Sequence, residues 1–205
     1  MTNLCPRSGH VVLLGDSVFD NGAYVADGFD VATQLHQALS PAWRATLVAR
    51  DGAVAGDLPN QVAQLPADAS HLLVSVGGND ALGHLGVLDE PVGSVAEALE
   101  RLASIRDAFR ADYLDAVTAV LALGLPTWLC TIYEPRFPEP AMQRAAIVAL
   151  SIFNDIITRA TAMHGVDLLD LRVLFNEDGD YANAIEPSAH GGEKIARSIV
   201  RVLLA

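Results

Sequence analysis

Four consecutive apolar residues, Val11-Val12-Leu13-Leu14, run directly into the turn-forming triplet Gly15-Asp16-Ser17, and this unit of short apolar run and polar turn recurs along the chain. A run of that length, rich in β-branched residues and bounded by turn signals, reads as a strand buried on both faces. Strands are expected at 11–14, 44–49, 71–76, 127–131 and 166–169. The stretches between them suit helices, at 31–39, 58–65, 95–123 and 141–164, with a last helix after Pro187 that uses Ile195, Ile199 and Val202 as its inner face. Alternation of this kind predicts an α/β fold, a three-layer αβα sandwich around a five-stranded parallel sheet. Right-handed crossovers then leave every strand's C-terminal end on one edge, where open sheets of this type place their sites.

Composition narrows the possibilities. The 205 residues suffice for one substantial core, and no linker divides them, so a single domain over 1–205 is expected. Apolar residues make up 51% of the chain, yet none of the runs approaches the roughly 20 uninterrupted apolar residues of a membrane span. A formal charge of -12, with 13 basic residues that form no cluster, argues against a nucleic-acid partner. The first residues, Met1 to Arg7, have no basic region followed by a long apolar stretch, which predicts a cytoplasmic chain without a secretory signal. Cys5 and Cys130 are too few for a disulfide framework and lack metal-ligand spacing; Cys130, in an apolar run, reads as a buried inert thiol.

Three polar loops stand where strands end: Gly15-Asp16-Ser17, Asp51 to Asp57, and Gly77-Gly78-Asn79-Asp80. A nucleophilic serine needs an exposed hydroxyl, a base, and donors directed at the developing oxyanion. Ser17 offers the hydroxyl. The Ser17 N–H, the Gly52 N–H and the Asn79 carboxamide form a natural donor set, because glycine lets the backbone approach closely and the amide is a rigid donor. Taken singly, each of these is also an ordinary turn or cap residue. Their arrival at successive strand ends points to a common site.

The segments Leu13 to Ser17 with Asp20-Asn21-Gly22, Asp51-Gly52 through Gly56-Asp57, and Val76 to Asp80 resemble the first three sequence blocks of the SGNH, or GDSL-type, hydrolases, in order and in spacing. The resemblance implies a flavodoxin-like sheet and a serine esterase that cleaves a small acyl ester through an acyl-enzyme. Ser17 would be the nucleophile, and Ser17, Gly52 and Asn79 the oxyanion hole. No cofactor or metal is implied.

The last block departs from that pattern. The family carries an aspartate three residues before its histidine, followed by proline and later glycine. Aligning Pro187, Ser188 and Gly191 with that block puts Asn183 at the aspartate position and Glu186 at the histidine position. A histidine does follow, at His190. With the last helix starting at Pro187 or Ser188, His190 lies in its first turn, about one turn beyond Glu186. The expectation is therefore a displaced base, His190, with Glu186 orienting it. A neutral imidazole suits proton abstraction near neutrality far better than a carboxylate of ordinary pKa, about 4. Glu186 acting directly would require desolvation to raise its pKa. The competing reading is a ligand-binding protein built on a site that has lost its base.

Other residues take supporting places. Asp16 braces its own loop through backbone donors. Asp20 and Asn21 shape the entrance. Glu177, Asp178 and Asp180 follow the fifth strand, and any of them can orient His190, although the loop also reads as solvated and completes no calcium-binding pattern. His84 borders a pocket or an exposed loop. Residues 133–140, with two aromatics and three prolines, are the expected substrate-side loop, and Trp128 is expected in the core.

Overall fold

A computed structural model describes residues 8–26 and 28–204; Cys5 lies outside them. The strands are β1 (Gly9–Gly15), β2 (Trp43–Leu47), β3 (His71–Ser75), β4 (Thr127–Cys130) and β5 (Asp167–Leu169). They form one parallel sheet in the order β2-β1-β3-β4-β5. The helices are α1 (Val31–Ala38), α2 (Leu58–Val62), α3 (Gly78–Gly83), α4 (Val95–Leu121), α5 (Pro140–His164), α6 (Leu171–Leu174) and α7 (Ala189–Leu204).

Successive residues of a strand point to opposite faces, and the core divides accordingly. Val12, Leu14, Leu72 and Val74 join α2, α4 and α5 in one apolar layer. Val11, Leu13 and Leu73 join α1, α6 and α7 in the other. Val11 to Leu14 are fully buried on both faces, which is why this strand is a continuous apolar run without alternation. Each such side chain contributes about 1.5–3 kcal/mol on burial.

Helix ends follow local chemistry. Asp30 accepts from the Thr33 N–H to cap α1, and Ser94 accepts from the Glu97 N–H to cap α4. α5 has the length and apolar content of a membrane-crossing helix, but it packs Leu150, Phe153, Ile156, Ile157 and Ala160 into the core.

Several expected bounds move. β2 begins at Trp43 and ends at Leu47, because the N–H groups of Val48 and Ala49 both turn to the Leu13 carbonyl. The glycine pair of the third loop opens a helix: Gly77 is left-handed and α3 starts at Gly78. β4 stops at Cys130, and Trp128 is half-buried. Helix α6 and the short 3-10 turns at Gly22–Tyr24, Ala55–Asp57, Leu85–Asp89 and Asp178–Asp180 had no periodic signal to announce them.

Candidate active site

β1 delivers the nucleophile candidate through a turn that the backbone holds from several sides. Gly15 has φ +122, and a Cβ there would lie 1.7 Å from the Ser75 carbonyl oxygen. Only glycine fits. The Asp16 N–H donates to that same carbonyl at 3.0 Å, and the Phe19 and Asp20 N–H groups return to the Asp16 carbonyl. The buried Gln61 side chain takes the Gly15 N–H at 2.7 Å and gives its own N–H to the Gly15 carbonyl at 2.8 Å. A neutral amide on a two-turn stretch belongs to no motif, so sequence reasoning passed over Gln61.

Ser17 is 8% exposed, and its hydroxyl donates to Glu186 Oε1 at 3.2 Å. Glu186 is 6% exposed, and its Oε2 is buried with no hydrogen-bond partner among the described residues. Burial raises the Glu186 carboxyl above the ordinary value, the Ser17 hydrogen bond opposes this, and the charge of Asp51 adds to the rise.

The loop carrying Glu186 is tied down along its length. Asn183 Oδ1 accepts the N–H groups of Ile185 and Glu186 at 2.9 and 3.0 Å. The Tyr133 hydroxyl donates to the Ile185 carbonyl at 2.6 Å, and the Arg136 N–H to the Ala184 carbonyl at 2.7 Å. Asn21, fully buried, donates to the Pro187 carbonyl and accepts the Val31 N–H, joining the loop to the start of α1. Asn183, which the sequence resemblance aligns with an aspartate, thus serves as a backbone clamp.

His190 is not brought to Ser17. Its Nε2 lies 3.1 Å from Glu177 Oε1 and 3.8 Å from Asp180 Oδ1, and its side chain is 52% exposed. The cause is the orientation of α7. A Cβ on Gly191 would stand 2.2 Å from the Asp180 carbonyl oxygen, and one on Gly192 would press on Val31 and Gln34. Those two glycines take the inward face, and His190, one residue earlier, falls on the flank. Glu186 therefore contacts the serine directly, and the imidazole is oriented by Glu177.

Glu177, Asp180 and His190 bring their ligand atoms within 4.8 Å of one another, a spacing that could hold a metal ion. The Lys194 ammonium already stands there, 2.9 Å from Glu177 Oε1 and 2.6 Å from Asp180 Oδ1. Asp180 is fully buried, and its other oxygen accepts the Asn176 and Glu177 N–H groups. This cluster fastens the loop before Glu186 to α7. Ser188 completes the join, donating to the Gly179 carbonyl and accepting the Gly191 N–H.

The donor candidates lie at the same edge. Gly52 is exposed with φ +80, in a turn held by the Asp51 N–H on Asp20 Oδ2 and by the Tyr24 hydroxyl on Asp51 Oδ2. Asn79 Nδ2 donates to the Ala53 carbonyl at 3.0 Å, which leaves its second N–H for the pocket it lines. Among the hydrogen bonds of the described residues, the Ser17 and Gly52 N–H groups are not engaged. Of the three positions, Ser17 and Asn79 line the pocket, and Gly52 stands in the exposed turn after β2.

Asp16 is buried beside Ser17, and its Oδ1 accepts the Val18 N–H at 3.1 Å. Burial pushes its carboxyl up to about 8 against that hydrogen bond, with the charges of Glu186 and Asp80 adding to the rise. A folded-state value above the unfolded one means that the folded chain holds this proton more tightly. The group's contribution to stability is therefore greatest at low pH and falls as pH climbs to about 8. Asp16→Asn, which keeps the acceptor for Val18, is expected to flatten that part of the decline. Urea midpoints across this range test it; an unchanged slope in the variant would assign the decline to other groups.

From Ser17 and Glu186 an apolar pocket runs between α3, α4 and α5, with Pro135 and Phe137 of the expected substrate-side loop, and Ile132 just before it, on one wall. Asn154 pins that loop, accepting the Ile132 N–H and donating to the Ile132 carbonyl, both at 2.8 Å. Tyr133 stacks on Phe175 with centroids 4.0 Å apart. His84 also lines the pocket. Cys130 is buried, and burial raises its thiol far above the ordinary value, so it offers no nucleophile.

No protein-family model matches the sequence, and no curated protein is similar to it. Solved structures are similar to it in fold. An extracellular lipase from Streptomyces rimosus superposes with TM-score 0.71 at 16% identity, over 97% of this chain and 100% of the lipase. A member of the lipolytic G-D-S-L family from Veillonella parvula gives 0.70 at 13% identity, over 95% and 98%. An acetylxylan esterase from Geobacillus stearothermophilus gives 0.65 at 17% identity, over 97% and 96%. Coverage is nearly end to end in each case, and with five parallel strands between two helical layers the chain has the fold of the SGNH/GDSL-type hydrolases.

Proposed function

We propose that this protein hydrolyses a small acyl ester through an acyl-enzyme on Ser17, with Glu186 as the general base. The observation that carries the reading is the contact of 3.2 Å between Ser17 Oγ and Glu186 Oε1 at the head of an apolar pocket. Burial supplies what the bare sequence left open, a glutamate whose pKa lies above the ordinary range and closer to a useful base.

Ionised Glu186 takes the Ser17 proton as Oγ attacks the ester carbonyl. The oxyanion that forms is met by the Ser17 N–H, the Gly52 N–H and the free Asn79 N–H. Collapse breaks the bond to the alcohol oxygen, which leaves with the proton held by Glu186. Water enters, gives its proton to the same carboxylate and attacks the acyl-serine. A second collapse releases the acid and returns the proton to Ser17. Asn183 and Tyr133 hold the Glu186 backbone in place throughout.

Turnover of p-nitrophenyl butyrate, together with mass analysis of the protein after a phosphonate inhibitor, tests this. The expected result is a covalent adduct at Ser17, loss of both adduct and turnover in Ser17→Ala, and turnover within about threefold of the parent in His190→Ala, as for an exposed residue outside the pocket. Ligand binding with no Ser17-dependent turnover would assign the fold to the binding class instead, a reading favoured by Asn183 and Glu186 standing where the family has aspartate and histidine.

A further inference from the structure

The shape of the pocket beyond Ser17 bears on the acyl half of the substrate. Asp16, Ser17, Asn79 and Glu186 line its sheet-edge end. His84, at the C-terminal end of α3, is the other residue with a free polar side chain on the wall, since the Tyr133 hydroxyl is engaged with the Ile185 carbonyl. The remaining lining is aliphatic or aromatic. Away from His84, a charged or hydroxylated acyl group would lose its water there without finding partners.

On α5 the wall is a helical stripe, Ala146, Ala149, Leu150 and Phe153, spaced at i, i+3, i+4 and i+7. Two of the four are alanines, and they leave room that larger residues would close. Leu102 and Ile105 of α4 face them across the pocket. The pocket is partly open to solvent and has a volume of about 100 Å³. An apolar cavity of about 150 Å³ takes a six-carbon ring, so this one takes roughly four carbons.

We infer that the substrate's acyl group is a short aliphatic chain of about four carbons seated between α4 and α5, where Ala149 and Leu102 line the pocket. This rests on the hydrolase reading above. An acetyl group leaves the pocket half empty, and a long chain overruns it.

The test is a series of p-nitrophenyl esters from acetate to decanoate. The expected result is a rise in kcat/KM of about fourfold per methylene from acetate to butyrate, about 15-fold in all, with no further gain beyond about four carbons. Ala149→Phe should remove the advantage of butyrate over acetate. Leu102→Ala, at a half-buried position, should extend the rise by about two carbons. A flat dependence from acetate to butyrate overturns the assignment, as does a profile unmoved by both substitutions while Ser17-dependent turnover persists.

Absence of turnover on every ester would instead overturn the hydrolase reading. The pocket is then tested by calorimetric titration with N-methyl alkanamides of two to eight carbons. Affinity that climbs to about four carbons and then levels upholds the pocket assignment, and equal affinities overturn it.

Discussion

Glu186→Gln is expected to lower kcat/KM for p-nitrophenyl butyrate by about 100- to 10,000-fold while leaving the fold intact. Glutamine keeps the size of the side chain and an oxygen for the Ser17 hydroxyl, but it cannot accept a proton. The effect therefore reports base chemistry and not packing. A second signature accompanies it. In the parent protein the carboxylate must be ionised to act, and burial, aided by Asp51, places its pKa above the ordinary value. Activity should fall as pH drops through that raised value, at a higher pH than an exposed glutamate, of pKa about 4.3, would give. Residual activity in the glutamine variant should lack this limb. A variant within about threefold of the parent at every pH would sink the assignment of Glu186 as base.

Gly15→Ala should prevent folding, or cost more than about 4 kcal/mol where protein is recovered. Two causes act together: the backbone is at φ +122, and the added methyl would sit 1.7 Å from the Ser75 carbonyl oxygen. Relief by sliding β3 away is blocked, because that carbonyl accepts the Asp16 N–H that sets the turn into Ser17. Soluble yield and urea denaturation measure the outcome. A loss under about 1 kcal/mol would mean that the β1 and β3 ends part more easily than their hydrogen bonds allow.

Much of the architecture could be read from residue patterns, since a strand buried on both faces leaves an unmistakable apolar run. Val11 to Leu14 and His71 to Ser75 are central, and the turns after them place Ser17 and Asn79 at one edge because parallel strands all end there. Features that depend on distant partners were not legible. Reading the last block for chemistry favoured an imidazole, and His190 was the nearest one. What decides its place is the contact of Gly191 with the Asp180 carbonyl and the pull of Glu177 on its ring, neither of which has a periodic signature. Gln61 and Asn154 escaped for a related reason. Each fixes a loop through a pair of hydrogen bonds, and an amide in a helix announces no such task.

Ser17 and the carboxyl group that touches it are 169 positions apart in the chain. Asn21 bonded to Pro187 and Gln34 bonded to Ala189 span nearly the same interval. Glu186 stands between β5 and α7 in the chain, so its contact with Ser17 joins the turn after the first strand to the last segment of the fold. On the hydrolase reading, the hydroxyl is expected to gain its base only when nearly all of the fold has formed around it. Labelling of Ser17 by a phosphonate is accordingly expected to appear late in refolding, after the closure of the sheet.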